Sequence, residues 1–305
     1  MFIILSQDGN PDGILHNQNE SNACIKALAE ANHVCREGVG FSVPSKGYSF
    51  GNITLSFRVR RRRQRTGENG QPIMDANNRP ILEWGDWETV QQNLSDATFD
   101  DRGHVIPDKF KREEFDLIQP VEMVVNDVEW VLAIEDFGTY RRLLPYAVVN
   151  GLLLVYLGGQ PDVATRAFLR RLEGEQGIRG VGFFVDMDLG GIKILCAIHK
   201  AGVRTCLPET IFVCSNPRWV GVRPSQTEKY NVPTMDLSQA QKDEIQKIHD
   251  NPNHALFQSC VNDEDRDARK SELREMIRLG IVANTALMPE HELIANIRQM
   301  LEDSI

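Results

Sequence analysis

The segment Val181–Leu195, VGFFVDMDLGGIKIL, constrains the fold of this chain more than any other. Val181–Val185 carries no polar side chain and reads as a strand buried on both faces. It delivers Asp186 and Asp188 into a loop, and Gly190 and Gly191 open a helix behind them. Two carboxylates two residues apart at a strand end point to the same side of the sheet edge. Held that close they repel unless a cation lies between them. Mg²⁺ takes one or two carboxylates together with water and phosphate oxygens. The other use of the same aspartates is to cap the helix that follows.

A second apolar run, Trp130–Ile134, ends at Glu135-Asp136, and a third, Leu152–Leu157, ends at Gly158-Gly159. Helical patterns separate the three. The sequence therefore predicts an α/β fold with a parallel sheet, whose ligands bind at the carboxyl ends of the strands. Glu135, Asp186 and Asp188 are expected to converge there. The helix between the Leu152–Leu157 run and Val181, Asp162–Leu172, sets Ala164, Phe168 and Leu172 on one face, with Asp162 as its cap.

The 305 residues allow two domains, here read as 1–119 and 120–305. The first is a small α+β segment: a helix over Glu20–Asn32, strands at Phe41–Val43 and Gly51–Val59, and an inserted hairpin or loop over 66–96. Within that insertion Ile73-Met74 and Ile81-Leu82 form the arms and Asp75–Arg79 the turn. Asp100–Pro107 reads as a turn. In the second domain a strand is expected at Ile211–Cys214 and a connecting segment from Trp219. Helices at Ser238–Asp250, Asp265–Leu279 and His291–Leu301 make the C-terminus helical.

The net charge of −9 argues against non-specific coating of nucleic acid, but it is segregated. Arg58–Arg65 holds six arginines, a block suited to phosphates, to a nuclear address or to the protection of an edge strand. No apolar run approaches the roughly 20 residues of a membrane span. The opening MFIILSQDGN lacks a basic n-region, so no signal peptide is expected. The six cysteines are scattered without a Cys-x-x-Cys, as in an intracellular protein with reduced thiols.

A lone Glu on one strand and Asp-x-Asp on a later one resemble the Toprim domain of topoisomerases, primases and related nucleases. Further motifs narrow the resemblance to the cleaving component of DNA topoisomerase VI, its A protein, and to that protein's relative, the meiotic double-strand-break transesterase. They are Ser45-Lys46-Gly47 with Gly51-Asn52-Ile53, Ile106-Pro107, Ile134-Glu135-Asp136, Gly159–Arg166 (GQPDVATR), Asp186–Gly191 (DMDLGG) and Trp219-Val220-Gly221. The chain departs from the family where Asp136 stands for a lysine and Leu189 for a proline. None of its five tyrosines lies in the Arg-x-x-Tyr-Tyr motif of the family's winged-helix domain.

The resemblance implies a Toprim-type sheet flanked by helices. It implies Mg²⁺ or Mn²⁺ at Glu135, Asp186 and Asp188. It implies double-stranded DNA tracked by Lys46, Arg58, Arg60, Arg61, Arg166 and Lys193, although Arg166 is equally placed to pair with Asp162. It further implies a homodimer that works with an ATPase-type B protein, as in an ATP-hydrolysing type IIB topoisomerase or a meiotic break complex. The location would be the nucleus of a eukaryote or the nucleoid otherwise. No catalytic residue is assigned, and the chain alone is expected to be inactive in transesterification. A metal-dependent Toprim nuclease and a non-catalytic DNA-binding scaffold are the competing readings.

Overall fold

The computed structural model describes residues 46–67, 69–96, 102–106, 121–199, 217–260 and 262–305, with residue 27 alone before them. A short strand β1, Tyr48–Phe50, turns at Gly51-Asn52 into a long strand β2, Ile53–Gln64. β2 runs antiparallel to β3, Leu82–Asn93, from Thr54↔Asn93 to Gln64↔Leu82. β4, His104–Val105, returns to pair with β1, while β5, Glu122–Val125, takes the other side of β2. Ile53 and Leu55 are fully buried and Phe57 packs against the same core, the alternation expected of a strand with one covered face.

The βα rhythm follows. β6, Trp130–Ile134, leads to α1, Phe137–Leu143; β7, Leu152–Tyr156, to α2, Val163–Glu173; β8, Gly180–Phe184, to α3, Leu189–His199; and β9, Pro217–Val220, closes the series. The sheet order is β4-β1-β7-β6-β8-β9, with β7, β6, β8 and β9 parallel and β1 antiparallel to β7. Every residue of β6 is buried, because helices cover both faces. Val131 and Ala133 point into a core with Phe168, Leu172, Ile192 and Leu195 of α2 and α3. Trp130, Leu132 and Ile134 point the other way, toward Tyr140 and Leu143 of α1.

The chain continues through β10, Thr234–Asp236, and α4, Gln239–Asp250, to α5, Ala255–Gln258. It ends in α6, Asp263–Leu279, β11, Ile281–Ala283, and α7, Glu290–Glu302, with β10 and β11 paired. Ser238 and Asn262 cap α4 and α6. α7 lays Leu293, Ile297 and Leu301 on the face shared with α1. Arg269 of α6 is fully buried and donates to the carbonyls of Leu256, Pro217 and Ile305 and to Ser259 Oγ at 2.6–3.2 Å.

Four expectations change. The 66–96 insertion is a hairpin only at its tip, where Ile81 N–H donates to Ile73 O and Asp75 accepts from Asn77 and Arg79. Residues 82–93 are a strand; LEWGDWETVQQN has no apolar alternation, and its ladder with β2 makes it one. His104–Val105, inside the expected turn, is an edge strand. Pro217–Val220, read as a connection from Trp219, is the edge strand of the main sheet, with Trp219 and Val220 buried. β1 and β4 belong to the six-stranded sheet, and β5 to the three-stranded one. The strands at Phe41–Val43 and Ile211–Cys214 lie outside the described residues, as does Glu20–Asn32 apart from residue 27.

Candidate functional site

The register of the parallel pairs decides what meets at the sheet edge. Ile134 sits opposite both Phe184 and Tyr156, so β6, β7 and β8 end level with one another. Glu135 N–H donates to Phe184 O at 3.2 Å, which holds Glu135 beside the departing β8 chain. The backbone N–H of Asp186 lies near the Glu135 carboxylate and favours its charged form. Asp186 Oδ1 accepts from the Thr285 N–H at 3.0 Å. Thr285 opens a helical turn between β11 and α7, and its buried hydroxyl faces the same carboxylate.

Asp188 is used differently. Its Oδ1 accepts from Gly191 N–H at 2.9 Å and its carbonyl from Ile192 N–H at 3.0 Å, so it caps α3. Of the two uses foreseen for the Asp-x-Asp pair, helix capping is the one seen here, and Asp188 makes it. Gly191 permits this turn, because a Cβ there would run into the Asp186 carbonyl oxygen.

Glu135, Asp136 and Asp186 line a cleft of about 480 Å³ with Phe137, Tyr156 and Thr285. Gly158 and Gly159 form its lip with φ of 68° and 82°, where side chains are strained. Burial raises the Glu135 pKa, and the charges of Asp186 and Asp188 raise it further. Asp186 is likewise raised by burial and then by Asp188, while the Thr285 N–H pulls it back. Among the described residues no three His, Cys, Asp or Glu side chains are gathered closely enough to hold a metal ion. The donor set still fits a hard cation: two half-buried carboxylates that repel each other suit a water-rich Mg²⁺ site.

The basic candidates are dispersed. Lys46 reaches this end of the sheet: its N–H donates to Asp162 Oδ2 at 2.7 Å, and its backbone lies against Gly158. Asp162 also caps α2 through Thr165 N–H at 2.9 Å, as its sequence position suggested. Arg166 follows one turn later and is half-buried. Lys193 is exposed on α3 and pairs with Glu244 of α4 at 3.8 Å. Arg58, Arg60 and Arg61 lie on β2, in the separate three-stranded sheet. Among the described residues, none of these cations lines the cleft.

The structure adds residues that motif reading missed. Phe137, Tyr140 and Tyr156 cluster with ring centroids 5.1–6.2 Å apart, and Tyr48 stacks on Tyr156. Tyr156, expected inside a buried strand, stands at its open end and lines the cleft. Tyr140 is fully buried and donates to Arg102 O at 2.8 Å; burial drives its phenol far above the ordinary range. The Arg102 guanidinium lies 5.9 Å from the Phe137 ring centroid. Thr285 gave no signal in sequence, since it is far along the chain from Glu135 and belongs to none of the motifs that mark the resemblance.

A parallel sheet flanked by helices, with acidic residues at two adjacent strand ends, defines a Toprim-type α/β protein. Residues 130–297 match the family of the Toprim domain shared by the A protein of topoisomerase 6 and Spo11, over more than half of the chain, and the chain belongs to that family. It is 34% identical over 118 residues to the A3 protein of DNA topoisomerase 6 of Oryza sativa subsp. indica, covering 38% of this chain and 26% of that protein. It is 25% identical over 179 residues to Meiotic recombination protein SPO11-1 of Arabidopsis thaliana, covering 58% and 48%. It is 27% identical over 172 residues to the A protein of type 2 DNA topoisomerase 6 of Archaeoglobus fulgidus, covering 54% and 46%. The matched stretch thus spans about a quarter to a half of these relatives' lengths.

Proposed function

We propose that this chain supplies the cation- and DNA-binding Toprim part of a protein that cleaves duplex DNA. The observation that carries the reading is the pairing of β6 with β8, which brings Glu135 and Asp186 into one cleft. Glu135 and Asp186 would hold Mg²⁺ or Mn²⁺, and Asp188, whose carboxylate caps α3, would add negative charge nearby. When bound, the cation stabilises negative charge on phosphodiester oxygens. The Thr285 N–H fixes the Asp186 carboxylate, and the Gly158-Gly159 lip lets a sugar-phosphate backbone approach.

The names of the relatives support assembly with a topoisomerase-type complex or a meiotic one. On this reading the chain pairs with a second copy and with an ATPase-type B protein. Lys46, Arg166 and the β2 arginines Arg58, Arg60 and Arg61 contribute to the DNA track, with Lys193 at most peripheral because Glu244 engages it. The attacking tyrosine is none of the five in this chain. Tyr140 and Tyr230 are buried, and burial opposes ionisation of Tyr140 and Tyr156. No described helix is long and apolar enough to cross a membrane. The protein would act where the DNA is, in a nucleus or on a nucleoid.

Calorimetry with MgCl₂ and MnCl₂ tests the reading. Glu135→Gln and Asp186→Asn should each weaken binding by about tenfold or more, the scale of one lost charged ligand. Unchanged affinity in both variants would remove the site. A non-catalytic DNA-binding scaffold is favoured by one observation: the Asp188 carboxylate is committed to a helix cap. DNA binding without measurable Mg²⁺ or Mn²⁺ binding would select that reading.

A further inference from the structure

Beside the carboxylate cleft lies a second hollow of about 400 Å³, lined by Asp136, Gly138, Arg141 and Arg142. Asp136 belongs to both, so the two are contiguous. Arg142 is fixed in place: Nη1 donates to Met288 O at 2.6 Å and Nη2 to Thr139 Oγ1 at 3.0 Å. Arg141 is exposed and makes no ion pair among the described residues. Some exposed arginines are engaged, as in Arg171–Glu175 at 2.7 Å and Arg298–Glu129 at 2.9 Å, while Arg79 and Arg274, like Arg141, make no ion pair among the described residues. Basic residues in the last turn of a helix also favour its dipole. That accounts for two arginines at the end of α1, but not for the open depression they share with Asp136.

We propose that this hollow seats a phosphate of a nucleic-acid strand, next to the phosphate held over Glu135 and Asp186. The inference rests on the DNA-binding reading above and adds a subsite to it. A strand crossing the cleft would otherwise pass its neighbouring phosphate over Asp136, a like charge. A guanidinium offers several N–H donors in a fixed fork suited to phosphate oxygens. Arg142, already held by two contacts, keeps the wall in place, and Arg141 is left to close on the anion. Such a contact positions the strand without reading its sequence.

The test is fluorescence anisotropy of the 305-residue chain with labelled duplex DNA over a series of NaCl concentrations. Arg141→Ala should weaken binding and lower the slope of log K against log[salt] by about 0.9, the counterion share of one phosphate. Arg141→Lys should retain most of the slope, because the charge stays. Arg171→Ala, which removes an arginine already neutralised by Glu175, should leave it unchanged. Mg²⁺ affinity of Arg141→Ala should match the parent chain. If the parent binds DNA with a salt slope and Arg141→Ala keeps that slope, the hollow is not a phosphate seat and the cleft reading stands. If the parent shows no salt-dependent binding, the DNA-binding reading and the subsite both fall.

Discussion

Arg269 carries more of the fold than its place in the sequence suggests. It lies in the charged run DEDRDARKSELRE, where a solvated face is the natural expectation. In the structure it is buried and ties α5, β9 and the last residue to α6 through four acceptors. Replacing it leaves carbonyls in a dry environment without donors, and each such loss costs about 1–3 kcal/mol. Arg269→Leu should therefore destabilise the chain by about 3 kcal/mol or more, measured as a fall in the urea midpoint. A midpoint within error of the parent would mean that water reaches those carbonyls. The carboxylates show the opposite balance. Glu135, Asp136, Asp186 and Asp188 could all be picked out from their strand-end positions. Their division of labour could not, because whether an aspartate caps a helix or faces a cleft depends on rotamer and on what packs above it. Thr285 makes that choice for Asp186 from a distant part of the chain.

At the level of elements, the strand–loop–helix unit β8–α3 is the part most closely specified by local sequence. The buried run forms β8, Asp188 caps the helix that follows, and the paired glycines lie in its first turn. Gly191 is its tightest point: any side chain would meet the Asp186 carbonyl and Val185 Cγ2. Gly191→Ala should push α3 off the loop and cost about 2 kcal/mol or more, as overpacked sites do. It should also weaken Mg²⁺ binding, because the same loop carries Asp186. Thermal melts and calorimetry on one preparation check both effects. A stable Gly191→Ala protein with parental Mg²⁺ affinity would show that the loop relaxes without consequence. β3 is the contrasting case. Its pairing with β2 runs nearly its full length, yet its sequence carries no period-2 apolar pattern. Backbone hydrogen bonds to a partner leave no trace in side-chain pattern when residue type does not alternate.

At the scale of the whole molecule, the proposed assembly is two copies of the chain with a DNA groove between them. Sedimentation velocity at micromolar concentration should give a dimer. DNA affinity should fall steeply with salt, about tenfold for every few phosphate contacts between low and physiological ionic strength. A monomer, or binding indifferent to salt, would count against the arrangement. The sequence by itself determined the parallel α/β core, the strand ends that carry acids, the helix α2 with its Asp162 cap, and the presence of α4 and α6. Those features follow from burial and capping within a dozen consecutive residues, which composition and spacing record directly. Only the tertiary structure decided that β1 and β4 complete the main sheet while β5 joins the smaller one. It also decided that β9 is an edge strand, that Thr285 holds Asp186, and that two arginines wall a hollow beside the acids. Each of these depends on contacts between residues far apart in the chain, and such contacts are set by how the sheet is ordered and closed, which no local pattern encodes.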